Sequence, residues 1–407
     1  MRKLALAFFA ILISCSILQA QDLDQLTLNQ YLDNPRAITT AVPIMGVSPD
    51  ARAGGMGDVG VASDPDLFSI YWNPAKLAFL PDGTRSMAVS YTPWLNKLVN
   101  DINLAYLAGA VKLSENQAAG ISLRYFSLGE IVFKDEFNND LGTYQPSELA
   151  FTGSYALKLS ERMSLAVGLR YIFSNLTQGA QVSGVDTKPG QTIASDIGYF
   201  YKSRDYNMEA GKKQSFALGL NLSNIGGKIS YSDDAVSDFI PSNLRLGGAY
   251  HLKIDKYNRM VVMADINKLL VPTPPLKEGS GGVPDDSNGN GVKGEILAGK
   301  DDNVNAFEGI FQSFNDAPGG TSEELEEIMY NIGLEYWYDD RFAFRGGFAY
   351  EDEEKGGRQY FTLGMGLRYN VFGLDVSYLI PASAIVRSPL ENTLRFSLIF
   401  NFNNSEG

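Results

Sequence analysis

The chain has 407 residues with 47 acidic and 34 basic side chains, and its net charge of −13 excludes nucleic-acid binding through a basic face. One cysteine, Cys15, excludes a disulfide framework and cysteine-based metal sites. Apolar residues at 44%, aromatics at 12% and 41 glycines exclude a disordered chain and favour β structure with close backbone approaches.

Residues 1–20 have the pattern of a secretory signal. Arg2 and Lys3 precede the apolar Leu4–Leu18, and cleavage is expected after Ala20. Leu12-Ile13-Ser14-Cys15 is a competing lipoprotein box, but the apolar run continues through Ile17 and Leu18, which favours ordinary cleavage. Beyond the signal no apolar run reaches the roughly 18 residues of a spanning helix. A secreted chain of this kind is either soluble or an outer-membrane barrel.

Residues 21–80 form an N-terminal segment. Its centre, Pro43–Lys76, is dense in Gly and turn formers and has little means of folding alone. The segment holds seven Asp, no Glu, and only Arg36, Arg52 and Lys76 as basic residues. Residues 81–407 are assigned to the barrel, and from Thr84 onward the hydrophobic period becomes two. Fourteen strands are predicted, at 84–91, 102–112, 116–128, 148–158, 163–174, 192–201, 214–223, 243–253, 258–268, 328–338, 342–351, 358–369, 372–380 and 392–402. In 361–370, Phe361, Leu363, Met365, Leu367 and Tyr369 share one face, with Thr362, Gly364, Gly366, Arg368 and Asn370 on the other.

Alternation alone does not separate a soluble sandwich from a barrel. Three features favour the barrel: aromatics at strand ends, connections that alternate between short and long, and an aromatic final strand. The expected fold is all-β, a 14-stranded antiparallel transmembrane outer-membrane β-barrel with an N-terminal luminal hatch. Outer-membrane lipid would cover the apolar face. The tripeptide Leu-Arg-Tyr recurs at 123–125, 169–171 and 367–369, each time with its Arg on the luminal face. The expectation is that hatch carboxylates such as Asp50 and Asp58 pair with Arg124, Arg170, Arg368 and Arg395, because an unpaired desolvated charge is costly. A path for an anionic substrate is the competing reading.

No catalytic residue and no cofactor are expected. The one histidine, His251, lies on a luminal face without a GxSxG elbow, and no HExxH occurs. Gly54-Gly55-Met56-Gly57 lacks the lysine of a phosphate loop. The long connection 269–327 contains Asp286, Asn288 and Asn290 at the alternate positions of a calcium loop, but position twelve is Leu297. A weak Ca²⁺ site there competes with a plain polar turn. Further along, Val304, Phe307, Ile310, Phe311 and Phe314 recur at helical spacing, and Thr321 with Glu324 suggests the cap of a second helix. The apolar helix either packs on the barrel rim or docks another protein.

The run Pro49–Ala62, PDARAGGMGDVGVA, followed by Tyr71-Trp72-Asn73-Pro74-Ala75-Lys76, resembles the N-terminal signature of the PorV (LptO) family. These are outer-membrane barrels of the Bacteroidetes type IX secretion system. The Asn-Pro-Ala element is similar to one in the wider FadL family of hatch-containing barrels. The resemblance implies a non-enzymatic carrier that takes folded C-terminal signal domains of cargo from the translocon pore (SprA/Sov-type) and delivers them to the PorU sortase attachment complex. From the length of the 269–327 loop and its aromatic face, the cargo contact is then expected at Phe307, Ile310, Phe311 and Phe314. A FadL-like transporter of hydrophobic small molecules is the alternative.

Overall fold

Period-two alternation becomes fourteen antiparallel strands in a computed structural model. They are β1 (Arg85–Pro93), β2 (Ile102–Ser114), β3 (Gln117–Leu128), β4 (Ser147–Ser160), β5 (Met163–Asn175), β6 (Gly190–Lys202), β7 (Lys213–Gly226), β8 (Asn243–Lys253), β9 (Asn258–Leu269), β10 (Ile328–Tyr338), β11 (Phe342–Tyr350), β12 (Gln359–Tyr369), β13 (Phe372–Pro381) and β14 (Leu394–Asn401). The structure describes residues 36–94, 101–134, 140–179, 181–182, 185–233, 237–279, 294–382 and 393–402. The signal segment lies outside them, as do Asp286, Asn288 and Asn290. Every predicted strand is present, with its ends within three residues of the expected bounds.

Each strand pairs with its sequence neighbours, and β1 pairs with β14 from Ser86↔Asn401 to Tyr91↔Phe396. The ring is therefore closed. Closure is what lets a sheet span hydrocarbon, because no edge of unpaired N–H and C=O groups is left. The outward face is apolar: Leu363 and Met365 of β12 are 58% and 61% exposed, while Thr362 and Gly364, which alternate with them, are buried. Two register shifts lie next to the short turns, at Lys112/Ser114 of β2 and Lys158/Ser160 of β4, and a third lies within the wall. Ser195 and Ile197 of β6 sit opposite Ile225 and Leu222 of β7, so β7 bulges and carries Asn224 to φ 59°.

Connections after even-numbered strands span 115–116, 161–162, 203–212, 254–257, 339–341 and 370–371. Those after odd-numbered strands are mostly longer, up to 270–327, with 203–212 the exception among the short ones. Short periplasmic turns and long outer loops are the rule in such barrels, which fixes the two ends. The seven outer connections, 94–101, 129–146, 176–189, 227–242, 270–327, 351–358 and 382–393, hold 26 acidic and 10 basic residues. Their net of −16 exceeds in magnitude the −13 of the whole chain.

The core lies inside the ring. Residues 36–84 run down the lumen from the outer mouth, where the Ala41 N–H donates to the Phe239 carbonyl, to the periplasmic end, where the Lys112 ammonium donates to Ala78. This hatch has almost no regular structure of its own. It contains a 3₁₀ turn at Pro43–Gly46, single helical turns α1 (Ala51–Gly54) and α2 (Ser69–Trp72), and a 3₁₀ stretch at Pro74–Phe79. Met56, Val59, Val61, Phe68, Ile70, Trp72 and Leu77 are buried against a wall of luminal alanines, including Ala88, Ala108, Ala118, Ala156, Ala217 and Ala249. Alanine and glycine on the inner face leave the room that the hatch side chains fill. A methyl group at Gly347 of β11 would lie 2.1 Å from the Met56 carbonyl carbon, so only glycine permits this approach.

Gly347→Val should therefore dislodge the hatch without opening the β ladder. The expected result is a folded, heat-modifiable band on gels together with raised ion conductance in a planar bilayer. Unchanged conductance with the folded band retained would contradict the packing.

Candidate functional site

The hatch is held by backbone caps and by charge. Asp50 ends the extended approach to α1: its carboxylate accepts from Ala53 N–H at 2.8 Å and from Trp72 Nε1 at 2.7 Å. Gly57 and Asp58 both take positive φ, 70° and 59°, and reverse the chain. Around that reversal Thr362 accepts from Gly57 N–H at 2.7 Å, and Asn331 donates to the Gly57 carbonyl at 2.6 Å. One Asp265 carboxylate oxygen accepts from Gly60 N–H at 2.7 Å and from Val61 N–H at 3.0 Å. Asn73 caps the last 3₁₀ stretch and donates to Tyr199 on the wall at 2.9 Å.

Charge pairing between hatch and wall departs from the sequence expectation. Arg395 of β14 pairs with Asp58 at 2.6 Å. Among the described residues Asp50 pairs with no arginine, because its oxygens are spent on the α1 cap and on Trp72. Arg124 touches the hatch through neutral groups: it donates to the Ile44 carbonyl at 2.6 Å and stacks over Tyr71 at 4.6 Å. Arg170 and Arg368 pair within the wall, with Asp196 at 2.7 Å and Asp375 at 2.6 Å. The reason is register. Each of these acids stands on an adjacent strand on the same luminal face, nearer than any hatch carboxylate.

The sequence expectation also missed a charge of opposite sense. Arg52 of the hatch is gripped by Glu335 of β10 at 2.9 Å and by Asp66 at 2.8 Å. Glu335 also accepts from Arg345 at 2.8 Å, Arg345 reaches Asp375 at 2.8 Å, and Asp375 holds Arg368. Six alternating charges thus cross from the hatch over β10, β11, β13 and β12. The side chains of Glu335, Arg345 and Asp375 have no solvent exposure. Glu335 stood on the luminal face of its predicted strand, and that was the available signal.

His251 lies 3.7 Å from Asp64, which Arg259 holds at 2.7 Å. It is buried at the periplasmic end of the hatch and belongs to that anchor.

At the outer mouth the 270–327 connection is tied down by a second cluster. Helices α3 (Ala306–Gln312) and α4 (Thr321–Glu326) punctuate it. Thr321 is not the cap of α4; Gly320 holds that place without a side-chain bond. Glu324 instead accepts from the N–H groups of Asp316 and Ala317, at 2.7 and 3.0 Å. Glu323 joins the hatch to this loop through Arg36 at 2.9 Å and also pairs with Lys355. Lys268 binds Glu327 at 2.6 Å and Glu324 at 3.0 Å. Burial would raise the Glu323 carboxyl, but hydrogen bonds from Arg36 and Lys355 hold it below its ordinary range. Asp316 goes the other way. Burial and then the neighbouring Glu324 and Glu327 push it up to about 7.

The four residues expected to bind cargo sit on or just after α3. Asn305 caps the helix by accepting from Glu308 N–H at 3.0 Å. Gly309 lies against Phe239 and Pro272, which turns Phe307 and Phe311 away from the barrel, at 67% and 75% exposure. Ile310 is half-buried, and Phe314 packs 5.9 Å over the Lys268 ammonium.

A closed barrel of fourteen strands, apolar outside and plugged by its own N-terminal segment, is an outer-membrane β-barrel of the hatch-containing class. Residues 30–276 match the family model described as Type IX secretion system protein PorV, and the chain belongs to that family. It is therefore a component of type IX secretion. Similar solved structures include the toluene transporter TodX of Pseudomonas putida (10% identity, 91% of this chain and 100% of that one, TM-score 0.49). Others are the toluene transporter TbuX of Ralstonia pickettii (12%, 87% and 97%, 0.45) and a FadL homologue of Pseudomonas aeruginosa (11%, 91% and 99%, 0.39). No curated protein sequence matches the chain.

Two outcomes follow from the charge clusters. Glu335→Gln leaves Arg52 and Arg345 short of a buried carboxylate, and should lower stability by about 3–5 kcal/mol in urea unfolding. Glu335→Leu combined with Arg345→Met should recover much of that loss, since Arg52 keeps Asp66 and Arg368 keeps Asp375. Asp316 carries a carboxyl raised in the folded state, so its support for loop docking is complete below the ordinary carboxylate range and is lost as pH rises through about 7. Facing it are Glu324, Glu327, the Thr273 N–H and Lys268. Proteolysis of the 270–327 connection should accelerate between pH 5.5 and 8, and Asp316→Asn should flatten that dependence.

Proposed function

We propose that this protein is the carrier of type IX secretion: it binds C-terminal signal domains of cargo at the cell surface and passes them from the translocon to the PorU sortase attachment complex. On this proposal it performs no chemistry. The observation that carries it is the pair Phe307 and Phe311, one turn apart on α3 and each more than two-thirds exposed. Two free aromatic rings on a capped helix form a contact surface of the kind that marks protein interaction sites. The loop beneath is fixed by ion pairs to the barrel and, through Arg36, to the hatch. Helix α3 lies beyond the span of the family match, so the contact rests on this chain's own geometry.

The importer alternative calls for an apolar pocket near the outer mouth. The cavity there is mixed: Met45, Tyr71, Leu269 and Met329 share it with Asn243, Arg245, Asn267, Glu327, Lys355 and Arg358. The amide and charged part of that lining suits a hydrocarbon poorly.

Capture of purified C-terminal signal domains by the reconstituted protein tests the proposal. Phe307→Ser with Phe311→Ser should weaken capture about tenfold, a loss of ~1.4 kcal/mol, and deletion of 300–316 should abolish it while the barrel stays folded. Undiminished capture by the deletion variant would remove α3 from the contact. A pull-down from outer membranes that returns the barrel with bound fatty acid and neither cargo, translocon nor sortase would sink the carrier itself.

A further inference from the structure

Between the top of the hatch and the wall formed by β7 to β12 lies a well of about 170 Å³. Asp58 and Trp72 form its floor, Ser48, Asn243, Arg245 and Asn267 stand around it, and Glu327 and Lys355 lie at its outer end. Its carboxylates are already engaged. Asp58 pairs with Arg395, Glu327 with Lys268 and Lys355, and Glu351 with Arg358.

The spare capacity is of one kind. The Ser48 hydroxyl and the side-chain carbonyl oxygens of Asn243 and Asn267 are buried and have no partner among the described residues. Leaving such a group unmet costs about 1–3 kcal/mol. The hatch itself sets the orientation of one of them. Asn331 donates to the Gly57 carbonyl at 2.6 Å, so its own carbonyl oxygen is left to accept from Asn267 at 2.8 Å. The Asn267 amine is thereby committed, and its oxygen is the group left without a partner. Beside this acceptor pair Arg245, 4.8 Å over the Tyr71 ring, donates to the Tyr71 hydroxyl at 3.0 Å and to Ser223 at 3.5 Å, and the rest of its five N–H donors belong to the well lining. Acceptors next to donors suit a molecule that carries hydroxyl groups and oxygens together. A hydrocarbon would leave all three oxygens unmet, and a carboxylate would face two amide acceptors.

Size narrows the class. The volume falls below the roughly 300–1,000 Å³ of pockets for drug-sized ligands. We propose that this well is a binding site for a single monosaccharide-sized polyol, oriented by Asn243, Asn267 and Arg245. The site is independent of the cargo contact on α3 and lies above the sealed part of the lumen.

The test uses the purified full-length protein in detergent, with glucose, mannose, galactose and N-acetylglucosamine as probes in saturation-transfer NMR and calorimetry. At least one sugar should bind in the millimolar range. Asn243→Ala and Ser48→Ala remove groups that have no partner, so each should keep the wild-type melting temperature while weakening binding about tenfold. Phe307→Ser with Phe311→Ser should leave sugar binding unchanged. Absence of binding up to 50 mM by the folded wild type would overturn the proposal. So would a crystal structure grown in the sugar that shows only ordered water on the three oxygens, or wild-type affinity in both alanine variants.

Discussion

The structure depends on one constraint: a charge inside a membrane barrel must be paired or stay uncharged. The six-membered run from Asp66 through Arg52, Glu335, Arg345 and Asp375 to Arg368 satisfies it collectively. Arg52 joins hatch to wall, so the hatch completes the barrel's electrostatics as well as filling its volume. Without the hatch, Glu335 would keep only Arg345, and Asp58 would leave Arg395 alone on the luminal wall. This explains how a segment with only single helical turns holds one conformation. Its order comes from the wall, through Asp265, Thr362 and Asn331 on its backbone and Arg395 on its reversal.

The same constraint divides the molecule by task. A lumen filled by hatch side chains and paired charges leaves little open volume, and on the proposed reading recognition falls to the outer mouth. There the long connections carry nearly all the excess negative charge, and the Glu323 and Glu327 clusters brace them. Helix α3 stands on that brace with two rings exposed. Three unpartnered oxygens, on Ser48, Asn243 and Asn267, line the well at the top of the hatch. A rigid base with a free aromatic face suits capture of a folded domain better than a flexible loop would, since less conformational entropy is lost on binding.

Much of this architecture was legible in the sequence. Strands of period two, such as 361–370, declared both their faces and their number. The pairing of charges was legible only in part. Arg124, Arg170 and Arg368 share a tripeptide and a face, yet their partners differ, because register and not residue type decides which acid comes within reach. Gly168 and Asp196 lie opposite in the β5–β6 ladder, which brings Asp196 beside Arg170; nothing in the local sequence announces that offset. Asp50 went to a helix cap because a one-turn helix must spend a nearby acceptor on its free N–H groups. The spacing of Phe307 and Phe311 placed a helix correctly, but only the approach of Gly309 to Phe239 shows which side of it faces outward.

The seam between β1 and β14 has a consequence for assembly. The hatch immediately precedes β1 and runs through the lumen from the outer mouth to the periplasmic end, where β1 begins. A chain so placed lies within the ring that its own first and last strands close. Threading residues 36–84 into a finished barrel would have to carry Asp50, Arg52, Asp58 and Lys76 past the charged luminal side chains of other strands before their own partners were met. Closure with the hatch already inside avoids that barrier. The last hydrogen bonds of the barrel, Ser86 to Tyr91 against Phe396 to Asn401, then act as a commitment step: once they form, the segment is trapped, and the order in which strands are laid down becomes part of how the pore is sealed.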